Sequence, residues 1–392
     1  MDDNTFISND LFDLNDEVSV LLWIPNSDNN SIADYSRKRY ELKKYACLSF
    51  AKKLIQKNLI PIFRSGKKLE DIVIEEIKNN DIQKVVLRFP IYNSEKQMIK
   101  KISDSYPHLD IKYITLANLI NQKTFIQHYG FPKSFTKFRK IVEKNNLILE
   151  PVDTIRSFKK LNNNIIKNNK IDKIRDVENF TIKNFLFYMK KSLPTYKQTR
   201  DQLYGNNISS GLSIPLSIGT ISPRVVFKLI KIFEKNIVSN QSTYWLKFEL
   251  LWREYFKLLS YHYGSNIFNT SGIFNQKEYP SCGIANNSGN FPKLDDDLIN
   301  SINNQLTQTG YISNRARQIF SSYLIYNKKL NWLAGALYFK KNLIDYDTEI
   351  NFCNWMYIAG LGTDPRGGRV FNLDKQKSLY DNDYVYRKKW NN

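Results

Sequence analysis

Short apolar runs alternate with longer charged stretches through the first third of the chain. "VSVLLWIP" from Val18 has strand character, "RKRYELKKYACLSFAKKLIQKN" carries apolar residues at helical spacing, and "LIPIF" returns to strand. The alternation repeats in "LEDIVIEEIKNN" before "KVVLRF" and in "KQMIKKISDSYPH" before "IKYITL". Strand, helix and strand in this order predict a parallel sheet covered by helices, an α/β Rossmann-like domain over residues 1–130. Residues 131–180 read as an interdomain connector with room for short helices, rich in Asn and Lys and with few turn-setting glycines from about 140 onward. From 181 to 392 β-branched alternation gives way to apolar positions recurring at three and four, as in "SPRVVFKLIKIFEKNIV" and "STYWLKFELLWREYFKLLSYHYG". This half is expected to be a large all-α domain.

Charge narrows the class of partner. Lys and Arg outnumber Asp and Glu by 58 to 38, a formal charge of +20, which favours polyanions and makes nucleic acid the first expectation, although a Lys-, Asn- and Ile-rich composition accounts for part of the excess. Neither G-x-G-x-x-G nor G-x-x-x-x-G-K-[ST] occurs in the α/β stretch, so no dinucleotide or triphosphate cradle announces itself there. Cys47, Cys282 and Cys353 are widely spaced and offer no metal-type pair. No apolar run approaches the ~18 residues of a membrane span, and "MDDNTFISNDLF" lacks the basic-then-apolar order of a signal peptide. A cytoplasmic chain in a reducing compartment is expected, with no membrane partner.

Four clusters carry candidate chemistry. In "TYWLKFELLWREYF", Trp245, Glu249, Trp252 and Arg253 share one helical face, so Glu249 is either half of a Glu–Arg pair or a polar anchor in an apolar cavity. "TGYISNRARQIF" puts Asn314, Arg315 and Arg317 in the first turn of a helix, where guanidinium groups fork to phosphate or carboxylate. "LIDYDTEIN" supplies Asp345, Asp347 and Asn351, suited to acid–base work or to capping and Arg pairing. "NISSGLSIPLSIGTISPR" offers serine hydroxyls and free backbone N–H groups for a diphosphate.

Taken in order, "YKQTRDQLYG", "SSGLSIPLSIGTISPR", "STYWLKFELLWREYF", "TGYISNRARQIFSSYL", "LNWLAGALYFKKNLIDYD" and "NFCNWMYIAGLGTDPRGGRVFNLDKQ" resemble the photolyase/cryptochrome family, the wording "TGYISNR" and "NWMYIAGLGTDPR" being most similar to its cryptochrome DASH branch. The resemblance implies that the helical domain binds FAD folded into a U. It assigns Tyr196, Ser209, Ser210, Leu212 and Ser213 to the diphosphate and its surroundings, and Arg253, Asn314 and Arg317 to the flavin site. Asp345 and Asp347 match the acidic pair near the ring edge, with Arg317 as partner of Asp345, and Asn351 matches the residue facing flavin N5. Glu249 matches the carboxyl group that reads a damaged pyrimidine pair, Trp252 and Tyr357 the aromatic walls of that pocket, and Arg315 a rim contact. Trp355 and Trp332 match the inner two positions of a tryptophan chain that reduces the flavin.

The sequence departs from the family pattern in both halves, and the motif expected before "FPKSFTKF" is also absent. The third, surface tryptophan is missing from "CGIANNSGNFPKLDDD", leaving Tyr279, Tyr311 or the harder-to-oxidise Phe291 to end the chain. After "VLLWIP" the family's opening is replaced by "NSDNNSIADYSRKR", so methenyltetrahydrofolate as an antenna stays open. The function implied is FAD-dependent, blue-light-driven repair of cyclobutane pyrimidine dimers in DNA by electron transfer from reduced flavin, carried out by a monomer. Tyr357 stands where duplex-repairing relatives commonly have tryptophan, and its smaller stacking area points to single-stranded or locally opened DNA. The alternative is a cryptochrome-type photoreceptor that binds FAD and nucleic acid without efficient repair. It ranks second because cryptochrome signalling commonly uses a long tail and little sequence follows Trp390.

Overall fold

The computed structural model describes residues 19–24, 37–56, 60–65, 69–80, 82–114, 118–151, 175–205, 208–274 and 294–391. Strands β1 (Ser19–Ile24) and β2 (Ile60–Ser65) pair in parallel with Ser19 opposite Ile60, and β3 (Lys84–Arg88) and β4 (Asp110–Ile114) pair in parallel with Lys84 opposite Asp110. Helices α1 (Arg37–Gln56), α2 (Leu69–Asn80) and α3 (Asn93–Ser105) alternate with them. Val73 and Ile77 of α2 meet Met98, Ile99 and Ile102 of α3 in a small core of their own, against which Val85, Leu87 and Ile111 pack. The expected parallel α/β unit is present among the described residues as two two-stranded ladders.

The rest is helical: α4 (Gln122–Tyr129), α5 (Phe135–Lys144), α6 (Val177–Lys191), α7 (Ser213–Ile218), α8 (Pro223–Asn236), α9 (Gln241–Tyr263), α10 (Asp297–Thr309), α11 (Asn314–Ser322), α12 (Trp332–Asn342), α13 (Thr348–Ala359), α14 (Leu373–Tyr380) and α15 (Val385–Asn391). Their starts follow capping chemistry. Asn240 accepts from the backbone N–H of Ser242 and Thr243 ahead of α9, Asn331 from Leu333 ahead of α12, and Asp347 from Ile350 ahead of α13. Gly360, at φ 74°, ends α13 in the left-handed conformation that glycine adopts without a Cβ penalty.

One large core joins these helices, and it reaches further toward the N-terminus than the sequence pattern suggests. Leu119, Ile120 and Phe125 around α4, and Phe135, Phe138 and Val142 of α5, are buried in it with α9. The ring of Phe135 stacks on Trp252 of α9 at 3.8 Å. Helix α5, which falls within the stretch read as connector, packs into the core of the helical body. Residues 152–174 of that connector lie outside the described residues, as do 25–36, on which the antenna question turned. No helix among the described residues is long and apolar enough to cross a membrane.

Among the contacts that dock the α/β unit on the helical body, two lie beside the acidic segment. Arg39 of α1, fully buried, donates through Nη1 to the carbonyls of Lys340 (2.7 Å) and Leu343 (3.0 Å) at the end of α12, with its guanidinium over the Tyr346 ring. Arg88, at the end of β3, pairs with Glu349 in the first turn of α13. They hold the two ends of the segment between α12 and α13, which carries Asp345 and Asp347.

Candidate functional site

A cavity of about 550 Å³ opens where α9, α11, α12 and α13 converge, within the range of cofactor pockets. Every site residue predicted from the sequence lines it except Leu212 and Trp332, which are buried behind the wall. Helix α9 contributes Glu249, Trp252 and Arg253 at positions three and four apart, the spacing that keeps side chains on one face. Asn314, Arg315 and Arg317 come from the first turn of α11, Asn351, Trp355 and Tyr357 from α13.

Charge is concentrated on the inner wall. Arg317 donates from Nη2 to Asp345 Oδ2 at 2.7 Å and from Nε to the Ile312 carbonyl at 3.1 Å, which fixes the guanidinium plane. The other oxygen of Asp345 is buried without a hydrogen-bond partner. Asp347 caps α13 and lies 3.0 Å from Lys257 Nζ and 3.8 Å from Arg253. Lys257 also meets Glu349 at 2.5 Å, and Glu349 meets Arg88. Burial pushes the Asp347 carboxyl above the usual carboxylate range despite Lys257, with Glu349 adding to the rise. Burial acts the same way on Glu349, yet Lys257 and Arg88 outweigh it and hold that carboxyl well below its usual range.

Asn351 presents a defined end to the cavity. Its Nδ2 donates to the carbonyl of Ala336 at 2.9 Å, and because a carbonyl only accepts, the remaining Oδ1 is an acceptor. One helical turn on, Trp355 is buried with Phe339 edge-on at 5.0 Å and Nε1 without a partner. Its six-membered ring lies against the backbone of Gly335 on α12, a position with no space for a Cβ. Trp332, at the start of α12, donates from Nε1 to the Thr270 carbonyl at 2.9 Å.

Aromatic rings form the outer wall. Trp252 lies between Phe135, stacked on it, and Tyr357, edge-on at 5.4 Å. The Tyr357 hydroxyl accepts from Arg369, whose Nε donates to Asp364 at 2.6 Å. The Gly-rich turn after α13 thus brings Arg369 back onto the cavity wall. Glu249 accepts from Arg200, whose guanidinium also covers Trp245 at 5.3 Å, so the Glu–Arg pair and the position on the cavity wall coexist. Arg315, the expected rim contact, lines the cavity and also has partners within the protein. Its guanidinium is 3.0 Å from Asp201 and lies over the Phe371 and Tyr380 rings, folded into the protein.

Ser209, Ser210 and Ser213 present their side chains along the approach to α7, with Ser209 Oγ 3.2 Å from the Tyr311 hydroxyl. Tyr311, offered as an end to the electron route, is itself on the cavity wall, whereas Tyr279 and Phe291 lie outside the described residues. Arg200, Lys257, Glu349 and Arg369 were not singled out from the sequence. Lys257 had a signal: a lysine inside the apolar run "YFKLLS" must snorkel or find a buried partner.

Residues 297–391 match the family described as the FAD binding domain of DNA photolyase. The chain is 33% identical over 320 residues to a cryptochrome DASH of Vibrio parahaemolyticus, a match covering 76% of this chain and 69% of that one. It is 30% identical over 370 residues to a cryptochrome DASH of Danio rerio, covering 84% and 68% respectively. Its fold superposes on the crystal structure of a Synechocystis cryptochrome with a TM-score of 0.77 and 25% identity, over 95% of this chain and 82% of that one.

Proposed function

The chain belongs to the photolyase/cryptochrome family, in its cryptochrome DASH branch, and from that premise we propose that it uses FAD to repair cyclobutane pyrimidine dimers under blue light, favouring single-stranded or locally opened DNA. The observation that carries this reading is a single cavity with two unlike walls. One is ionic and acceptor-bearing, around Arg317, Asp345 and Asn351; the other is aromatic, around Trp252 and Tyr357, with Glu249 beside it.

The residues fit FAD. The partnerless Oδ1 of Asp345 and the Oδ1 of Asn351 are acceptors suited to the N–H groups of a flavin ring, and Arg253 and Lys257 supply positive charge behind it. Ser209, Ser210 and Ser213 would take the diphosphate with their hydroxyls and nearby backbone N–H groups. FAD bound there supplies visible-light absorption and one-electron chemistry. The protein's own part is orientation and electrostatics: Arg317 holds Asp345 in place, Asp347 is fixed by Lys257, and Trp355 on the cavity wall and Trp332 buried behind it provide oxidisable indoles.

Trp252 and Tyr357 offer an extruded dimer two ring surfaces at a steep angle, and the Glu249 carboxylate accepts from a pyrimidine imide N–H. The second reading, a photoreceptor without efficient repair, draws on the pairing of Glu249 with Arg200, which occupies the carboxylate that repair needs. Glu249→Gln separates the two. The reduced variant should lose most of its light-dependent repair of a dimer-containing single-stranded oligonucleotide while keeping its flavin spectrum. Wild-type protein with a normal light response and no repair at all would decide for the photoreceptor.

A further inference from the structure

We infer that Arg88 and Glu349 are positioning residues of the flavin site: the series Arg88, Glu349, Lys257, Asp347 transmits charge from the α/β unit to the cavity and sets how strongly the site favours a reduced, anionic cofactor. The inference rests on the reading of the cavity as an FAD site. Lys257 Nζ bridges Glu349 at 2.5 Å and Asp347 at 3.0 Å, and Arg88 closes on the other Glu349 oxygen. Glu349 has no exposed side-chain surface, and Lys257 and Asp347 have 4% and 5%. Arg88 is half-buried, at 20%, so solvent and salt screen the three inner charges weakly and Arg88 more strongly. Within the series two positive and two negative groups alternate and balance, and Arg253, 3.8 Å from Asp347, adds a fixed positive charge at the inner end that both variants share. Asp347, its inner end, lines the cavity, while Arg88, its outer end, belongs to β3 of the α/β unit.

The arrangement gives the ends opposite signs of effect. Without Arg88 the series carries one excess negative charge, and Lys257 is drawn toward Glu349 and away from Asp347. A bound anionic cofactor is then disfavoured. Without Glu349 the series carries one excess positive charge, and Lys257 is drawn toward Asp347, which favours the anion. A purely structural ion pair behaves differently, because removing either partner leaves a buried unpaired charge and lowers stability in both cases. Stability should fall in both single variants, whereas the redox equilibrium should split.

The test is dye-equilibrated reduction of the flavin-loaded full chain. At fixed potential, Arg88→Gln should lower the reduced-to-oxidised flavin ratio and Glu349→Gln raise it, each on the order of tenfold, about 30 mV for a two-electron couple. The double variant should return to within about twofold of wild type, and Arg88→Lys, which keeps the charge, should match wild type. Single shifts of the same sign, or no shift in variants that retain flavin, would overturn the inference. If the single variants fail to fold, the double variant and Arg88→Lys decide: a tenfold departure in either contradicts the series. Wild-type protein that takes up no flavin would instead refute the FAD reading itself.

Discussion

Replacing Gly335 by alanine sets two effects of known size against each other. In the interior of α12, alanine is favoured over glycine by about 0.8–1.0 kcal/mol because the unfolded chain has less freedom to lose. The added methyl, however, falls inside the contact distance of Cη2, Cζ3 and Cζ2 of Trp355, and is only 2.8 Å from the last. Trp355 is 1% exposed and wedged against Phe339, so its ring cannot swing aside. Overpacking of this kind costs about 1–3 kcal/mol, and contact with three ring atoms puts the cost toward the upper end. The clash therefore wins, leaving a net loss of about 1–2 kcal/mol. It should be read as a lower urea midpoint at unchanged slope, accompanied by slower photoreduction of bound flavin because Trp355 has moved. A variant equal to or more stable than wild type, with unaltered photoreduction, would refute the placement of Trp355 against α12.

Arg317→Met should be among the most damaging single changes. It leaves Asp345 buried without its cation, costing about 3–5 kcal/mol, and the purified variant should carry little or no flavin, measured by the absorbance ratio of flavin to protein. Tyr357→Phe removes the hydroxyl that accepts from Arg369 but keeps the ring, so stability should fall by only about 0.5–1.5 kcal/mol and flavin content should not change, as melting and absorbance will report. The Glu349 carboxyl is held low in the folded protein by Lys257 and Arg88 against burial, so its contribution is fully present above the unfolded value of about 4.3 and is lost as pH falls through the folded value. Glu349→Gln should lower stability at pH 7 and flatten the decline between about pH 4.3 and lower pH, compared by urea titration across that range.

Much of the site was legible because its residues lie close along helices. Glu249, Trp252 and Arg253 share a face of α9 by spacing alone, and Asn314 and Arg317 follow from one capped first turn. The Arg317–Asp345 pair could be matched through the family resemblance, and the structure brings the two together. What escaped was decided by long-range docking. Arg200 reaches Glu249 from 49 positions away, and Arg88 reaches Glu349 across 261, distances at which no local period carries a signal. Helix α5 was hidden for a related reason. Its charged residues dominate the composition, and its buried stripe of Phe135, Phe138 and Val142 acquires meaning only when α9 lies against it. Arg315 was legible as an arginine beside the cavity, but its partners Asp201, Phe371 and Tyr380 come from distant segments and carry no local signal.

The most direct test is repair itself. Flavin-loaded, chemically reduced protein is mixed with a single-stranded oligonucleotide containing one cyclobutane dimer, with the same lesion in a duplex as the comparison, and each is followed in blue light and in the dark. Restoration of the intact pyrimidines in light only, faster on the single strand than on the duplex, is the expected result. An unchanged lesion in both substrates, from protein whose flavin is bound and reduced, would contradict it.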